Sequence, residues 1–139
     1  MIEFTSSSVV YMDTNIVIYF LEDRAQFQSR AKAFVFTALN AGARLVTSEL
    51  TVAECIYRPH RDRNAQSISL YEAAFRSGLL GLYPLTGDLV IRAAKEGGSL
   101  GLKLIDTVHY LSALEAGCDY FATADRKFKS SQYLEIVGI

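Results

Sequence analysis

The feature that most constrains this chain is the rhythm of its apolar residues. Five short runs of β character, Val9–Met12, Arg44–Thr47, Leu80–Tyr83, Tyr120–Thr123 and Leu134–Val137, alternate with longer stretches of helical periodicity. The helical stretches fall at about 15–22, 26–41, 49–57, 64–77, 87–96 and 104–116, and Gly42 and Gly117 stand just past two of them, where C-terminal caps belong. Strands this short and apolar suit a parallel sheet buried on both faces. The alternation therefore predicts an α/β fold, a three-layer α/β/α sandwich around a mostly parallel five-stranded sheet, with function gathered at the carboxyl ends of the strands.

At 139 residues and 50% hydrophobic content, with no repeat or Pro/Ser-rich linker, the chain is expected to form one domain over 1–139. It has no basic segment followed by an apolar run at its start and no stretch near the ~20 apolar residues of a membrane helix, so a soluble, cytoplasmic protein is expected. Fourteen Lys and Arg against fifteen Asp and Glu leave a formal charge of -1, which excludes a global basic field and leaves nucleic-acid binding to local patches or metals. Cys55 and Cys118 lie far apart with no histidine at zinc-site spacing, and read as reduced, small apolar residues. The chain also lacks the glycine-rich loops of nucleoside triphosphatases and dinucleotide-binding proteins, and the Asp-x-Asp after the first strand that haloacid-dehalogenase-type phosphatases require.

Four acids stand out by position. Asp13 directly follows the first strand and Asp125 follows the fourth, so two carboxylates project from strand ends. Glu54 lies on a helix whose Leu50, Ala53 and Tyr57 read as its core-facing stripe. Asp106 opens the most apolar helix, after a Gly97-Gly98-Ser99-Leu100-Gly101 stretch that reads as helix-breaking. Each acid alone has an ordinary alternative, as an N-cap, a turn residue or a surface charge. Four carboxylates in one pocket would repel one another unless a cation neutralised them, and hard oxygen donors without His or Cys point to Mg2+ or Mn2+. Such ions polarise phosphoryl oxygens and activate water, the chemistry of phosphodiester hydrolysis.

With these four blocks in this order, from Asp13-Thr14-Asn15 through Ser48-x-Leu50-Thr51-x-x-Glu54 and Asp106-x-x-His109 to Thr123-x-Asp125-x-x-Phe128, the sequence resembles the PIN-domain family and, more narrowly, its VapC-type toxins. The resemblance implies metal-dependent RNA cleavage, with Asp13, Glu54, Asp106 and Asp125 as catalytic and metal-binding residues and Thr14, Asn15 and Thr123 hydrogen-bonding around them. It also implies a cognate antitoxin protein and a homodimer. The rival readings it leaves are a PIN-like module that binds RNA or protein without cutting, and a housekeeping RNA-processing nuclease.

Around the acids, Arg58, Arg61 and Arg63 form a basic cluster able to hold RNA backbone, and Lys103 and Arg126 are further candidate RNA contacts. His109 is left outside the catalytic set, with a phosphate contact, ligand orientation and a structural role all open. Tyr19, Phe20, Phe27, Phe34 and Phe36 exceed what one small core needs and mark a candidate partner surface.

Overall fold

The computed structural model describes residues 2–22 and 26–139. The elements run β1 (Val9–Met12), α1 (Thr14–Leu21), α2 (Gln26–Asn40), β2 (Arg44–Ser48), α3 (Glu49–Arg61), α4 (Ala65–Arg76), β3 (Leu80–Tyr83), α5 (Gly87–Leu100), α6 (Leu104–Glu115), β4 (Tyr120–Thr123) and β5 (Glu135–Gly138). All five strands are parallel, in the order β3-β2-β1-β4-β5. The chain starts at the centre, builds outward through β2 and β3, then returns to the other side of β1 for β4 and β5. The order reverses between β1 and β4, and at such a switch point the connections leave in opposite directions and open a crevice at the strands' carboxyl ends.

Period-two alternation divides the core. Val10, Met12, Leu45, Leu80 and Ala122 face α1–α4 and pack with Ile16, Val17, Ala31, Val35, Cys55 and Tyr71. Tyr11, Val46 and Phe121 face the other way, against Leu89 and Ala93 of α5 and Val108 and Leu111 of α6. Among the described residues no helix is long and apolar enough to cross a membrane.

Three sequence expectations need correction. The helix holding Glu54 does not stop near Tyr57: α3 continues through Pro59 to Arg61. Its buried face is Thr51, Cys55 and Pro59, whereas Tyr57 is 69% exposed. The apolar stripe misled because Thr51 is buried by hydrogen bonding rather than by hydrophobicity: its hydroxyl lies 2.7 Å from that of Thr47.

The glycines after residue 96 do not break a helix either. α5 runs through Gly97 and Gly98 and stops at Gly101, whose φ of 69° suits glycine. Gly97 is required by packing. A Cβ there would stand 2.7 Å from Thr107 Oγ1, on α6, and 3.3 Å from the Leu102 carbonyl. Thr107 is fully buried and its hydroxyl donates to the Lys103 carbonyl at 2.8 Å, so it has nowhere to retreat. A Cβ at Gly98 would meet nothing within 4 Å.

Two neighbouring glycines should therefore respond oppositely to alanine. Gly98→Ala should gain roughly 0.5–1 kcal/mol through helix propensity, and Gly97→Ala should lose about 1–3 kcal/mol by overpacking the α5–α6 contact. Denaturant unfolding measures both, and equal shifts would contradict this account of the helix pair.

Candidate active site

Asp13 leaves the carboxyl end of β1 at the switch point and is only 6% exposed. It is also the N-cap of α1, its Oδ1 accepting from the Thr14 amide at 2.9 Å, so the capping alternative holds for this residue. Its Oδ2 accepts from the Thr123 hydroxyl at 2.7 Å. That hydroxyl also accepts from the Asp125 amide at 3.0 Å, which ties the ends of β1 and β4 together. Asn15 adds a second tie, its Oδ1 accepting from the Ala124 amide at 3.2 Å.

Glu54 approaches from α3 on the β2 side. Its Oε1 accepts from the Thr14 hydroxyl at 2.8 Å and lies 2.7 Å from His109 Nε2. A carboxylate only accepts, so Nε2 carries the proton of that bond. On the far side of the buried ring, His109 Nδ1 lies 2.7 Å from the Tyr11 hydroxyl. His109 and Tyr11 therefore fix Glu54 from below, a role the sequence reading left open for His109 and did not assign to Tyr11. The signals were there: Tyr11 shares a strand face with Asp13 by period two, and His109 lies one helical turn beyond Asp106.

Asp106 sits in the first turn of α6, whose N-cap is Lys103, so it is not the capping residue that its position suggested. Lys127 joins it to the fourth acid: the Lys127 ammonium lies 3.6 Å from Asp106 Oδ2 and 3.5 Å from Asp125 Oδ2. Asp125 also accepts from the Lys127 amide at 2.9 Å. The four acids are thus joined by polar contacts, from Glu54 through Thr14 to Asp13, through Thr123 to Asp125, and through Lys127 to Asp106. Among the described residues no three acidic, histidine or cysteine side chains are gathered at metal-binding spacing, so the acids form a linked arc rather than a closed cage.

The basic residues divide. Arg61 is occupied by Asp62, its Nε 2.9 Å from Oδ1, and Arg63 ends the α3 turn at φ 53°. Arg58 lines a cavity of about 370 Å³ shared with Glu54. Arg126 lines another, of about 320 Å³, beside Asp125. Lys103 is exposed at the start of α6.

The electrostatics of Asp13 and Glu54 run in opposite directions. Burial pushes the Asp13 carboxyl above the ordinary carboxylate range and the charge of Asp106 adds to this, against the opposing effects of His109, Thr123 and Thr14. Burial also disfavours the Glu54 anion, but the bonds from His109 and Thr14, with the charge of His109, outweigh it and hold Glu54 below its usual value.

Asp13 therefore opposes folding increasingly as pH rises from near 4, the ordinary carboxylate value, through its raised folded value. Glu54 contributes stability above its unfolded value and loses it as pH falls through the lowered folded one. At neutral pH, Asp13→Asn should raise the melting temperature and Glu54→Gln should lower it, with both differences shrinking toward pH 4 and below. Thermal melts across pH check this, and shifts of the same sign, or independent of pH, would contradict it.

No curated protein matches this chain significantly. Among solved structures, a Mycobacterium tuberculosis protein described as VapC20, a sarcin-ricin loop cleaving toxin, is similar at a TM-score of 0.66 and 14% identity, covering 81% of this chain and 86% of its own. VapBC2 from Rickettsia felis, bound to a promoter DNA fragment, is similar at a TM-score of 0.68 and 14% identity, covering 94% and 98%. At such identity these likenesses speak for the fold. The PIN domain family model matches residues 10–131, from the strand that presents Asp13 to beyond the turn that carries Asp125, and the chain belongs to that family.

Proposed function

We propose that this chain is a metal-dependent endoribonuclease that hydrolyses RNA phosphodiester bonds with Mg2+ or Mn2+, and that it is the toxin of a VapBC-type toxin–antitoxin pair. The observation that carries the reading is the linked arc of Asp13, Glu54, Asp106 and Asp125 at the switch point of a PIN-domain chain. The toxin assignment draws on the two similar structures, one described as an RNA-loop-cleaving toxin and the other as a VapBC complex, which suggest an RNA substrate and an antitoxin partner.

The donor set suits a hard divalent cation, because all four candidate ligands are carboxylates. Lys127 is a stand-in of the right sign, a positive charge within 3.6 Å of both Asp106 and Asp125. The Asp13 anion, disfavoured by burial and by Asp106, also calls for a nearby cation. Asp13, Asp106 and Asp125 would hold the ion, and Glu54 completes the acidic set. Such an ion, when bound, polarises a phosphoryl oxygen and lowers the pKa of a coordinated water. Glu54, kept ionised by His109 and Thr14, is the group available to accept a proton from an attacking water. The non-cleaving alternative draws on the same lysine, since a side chain that already neutralises two acids competes with an ion.

The cleavage reading predicts that RNA is cut only with Mg2+ or Mn2+ present. Asp13→Asn should reduce cutting to background while the circular dichroism spectrum stays unchanged, because the amide keeps the cap but loses the charge. A folded Asp13→Asn protein that cuts RNA at the wild-type rate would refute this assignment.

A homodimer is also proposed. Of the five aromatics on α1 and α2 only Phe27 and Phe36 stay largely exposed, the others packing partly against the core. Val90, Ile91, Leu104 and Ile105 of α5 and α6 are exposed as well, with Ile91 at 55%, so the surface offered to a second copy includes this helix pair. Light scattering at micromolar concentration should give twice the chain mass, and Ile91→Glu with Leu104→Glu should halve it. A monomeric wild type would contradict the proposal.

A further inference from the structure

We propose that Arg30 and Arg126 form a phosphate-binding subsite beside the acidic arc, so that the RNA backbone leaves the cleavage centre over the β4–β5 side of the sheet and not over the α3 side. The inference rests on the RNA-cleaving reading and adds the path of the substrate to it.

Two cavities open at the carboxyl edge of the sheet, one on each side of Asp13. The first, about 370 Å³ between α1, α3 and α4, contains Glu54 and Arg58. The second, about 320 Å³, lies beyond Asp125 at the ends of β4 and β5 and is closed by α2. Each touches the arc directly through one of its acids, so each offers a path for a strand whose scissile phosphate is held there.

Charge separates the two. In the first cavity Arg58 shares the lining with Glu54, while Asp62 is answered by Arg61 from outside, which leaves no surplus positive charge for a phosphate. In the second, Arg30 and Arg126 share the lining with one acidic side chain, Asp125, whose carboxylate is already shared with Lys127. Both arginines are exposed, and neither makes an ion pair among the described residues.

The two come from separate parts of the chain, Arg30 from α2 and Arg126 from the turn after β4, and meet only because the fold brings α2 over the ends of β4 and β5. Guanidinium groups suit phosphate because their donors form a planar fork. The rest of this cavity includes Ile136 and Ile139, an apolar wall against which a ribose or base can rest while its phosphate meets the arginines.

The test is salt-dependent binding of a fluorescent single-stranded RNA, followed by anisotropy with Mg2+ present and every protein carrying Asp13→Asn to prevent cutting. Two lost phosphate contacts should flatten the slope of log affinity against log salt by about 1.4, at about 0.7 per contact on a single strand. Arg30→Ala with Arg126→Ala should show that change at an unaltered melting temperature, Arg30→Lys with Arg126→Lys should restore most of the slope, and Arg58→Ala should leave it unchanged. An unchanged slope in the double alanine variant, or an equal loss in Arg58→Ala, overturns the subsite while leaving RNA binding intact. Failure to bind RNA at all both in the Asp13→Asn parent and in a Glu54→Gln parent, which keeps Asp13, Asp106 and Asp125, overturns the RNA reading and the subsite with it.

Discussion

One carboxylate, buried at the end of the central strand, governs the arrangement around it. Asp13 is held at 6% exposure because it closes the first turn of α1 and accepts the Thr123 hydroxyl, two bonds that the fold needs. The same bonds keep it where a charge is costly. The neighbouring groups can be read as responses to that charge. Thr123 relays it to the turn of Asp125, Thr14 relays it to Glu54, and Lys127 supplies positive charge between the two more exposed acids. Stability and the proposed chemistry meet in this residue, because the geometry that caps a helix also places a carboxylate at the mouth of the crevice.

Beneath that surface lies a second polar layer, and its satisfaction is complete. The Thr47 hydroxyl lies 2.7 Å from both the Met12 carbonyl and the Thr51 hydroxyl, and the Tyr11–His109 pair supports Glu54. Among the described residues no buried side-chain nitrogen or oxygen lacks a partner. A network so fully satisfied locks rotamers, since turning any one group leaves another without its bond. This rigidity gives Glu54 a fixed direction even though its side chain is 36% exposed.

Much of this was legible in the sequence, and the exceptions share a cause. Short apolar runs, glycine caps and acids after strands depend on local pattern, and they located the strands, the parallel sheet and the positions of Asp13 and Asp125 at strand ends. What pattern could not supply was the partner of a polar residue. Thr51 fell outside the apolar stripe because its burial depends on Thr47, and Gly97 looked like a helix breaker because the reason for it, Thr107, lies on another helix. His109 stayed ambiguous until Tyr11 and Glu54 were seen on its two nitrogens. Arg58, Arg61 and Arg63 looked equivalent in a row, but three-dimensional neighbours distinguish them, since Asp62 engages Arg61 and Arg58 shares its cavity with Glu54.

The proposed chemistry depends on this arc holding a divalent cation in place of the Lys127 ammonium. The direct measurement is anomalous X-ray diffraction from crystals of the protein grown with Mn2+. The expected result is an anomalous peak bounded by the Asp13, Asp106 and Asp125 carboxylates, with the Lys127 ammonium withdrawn from between Asp106 and Asp125. A peak elsewhere, or none at saturating Mn2+ with Lys127 still bridging the two acids, would contradict it.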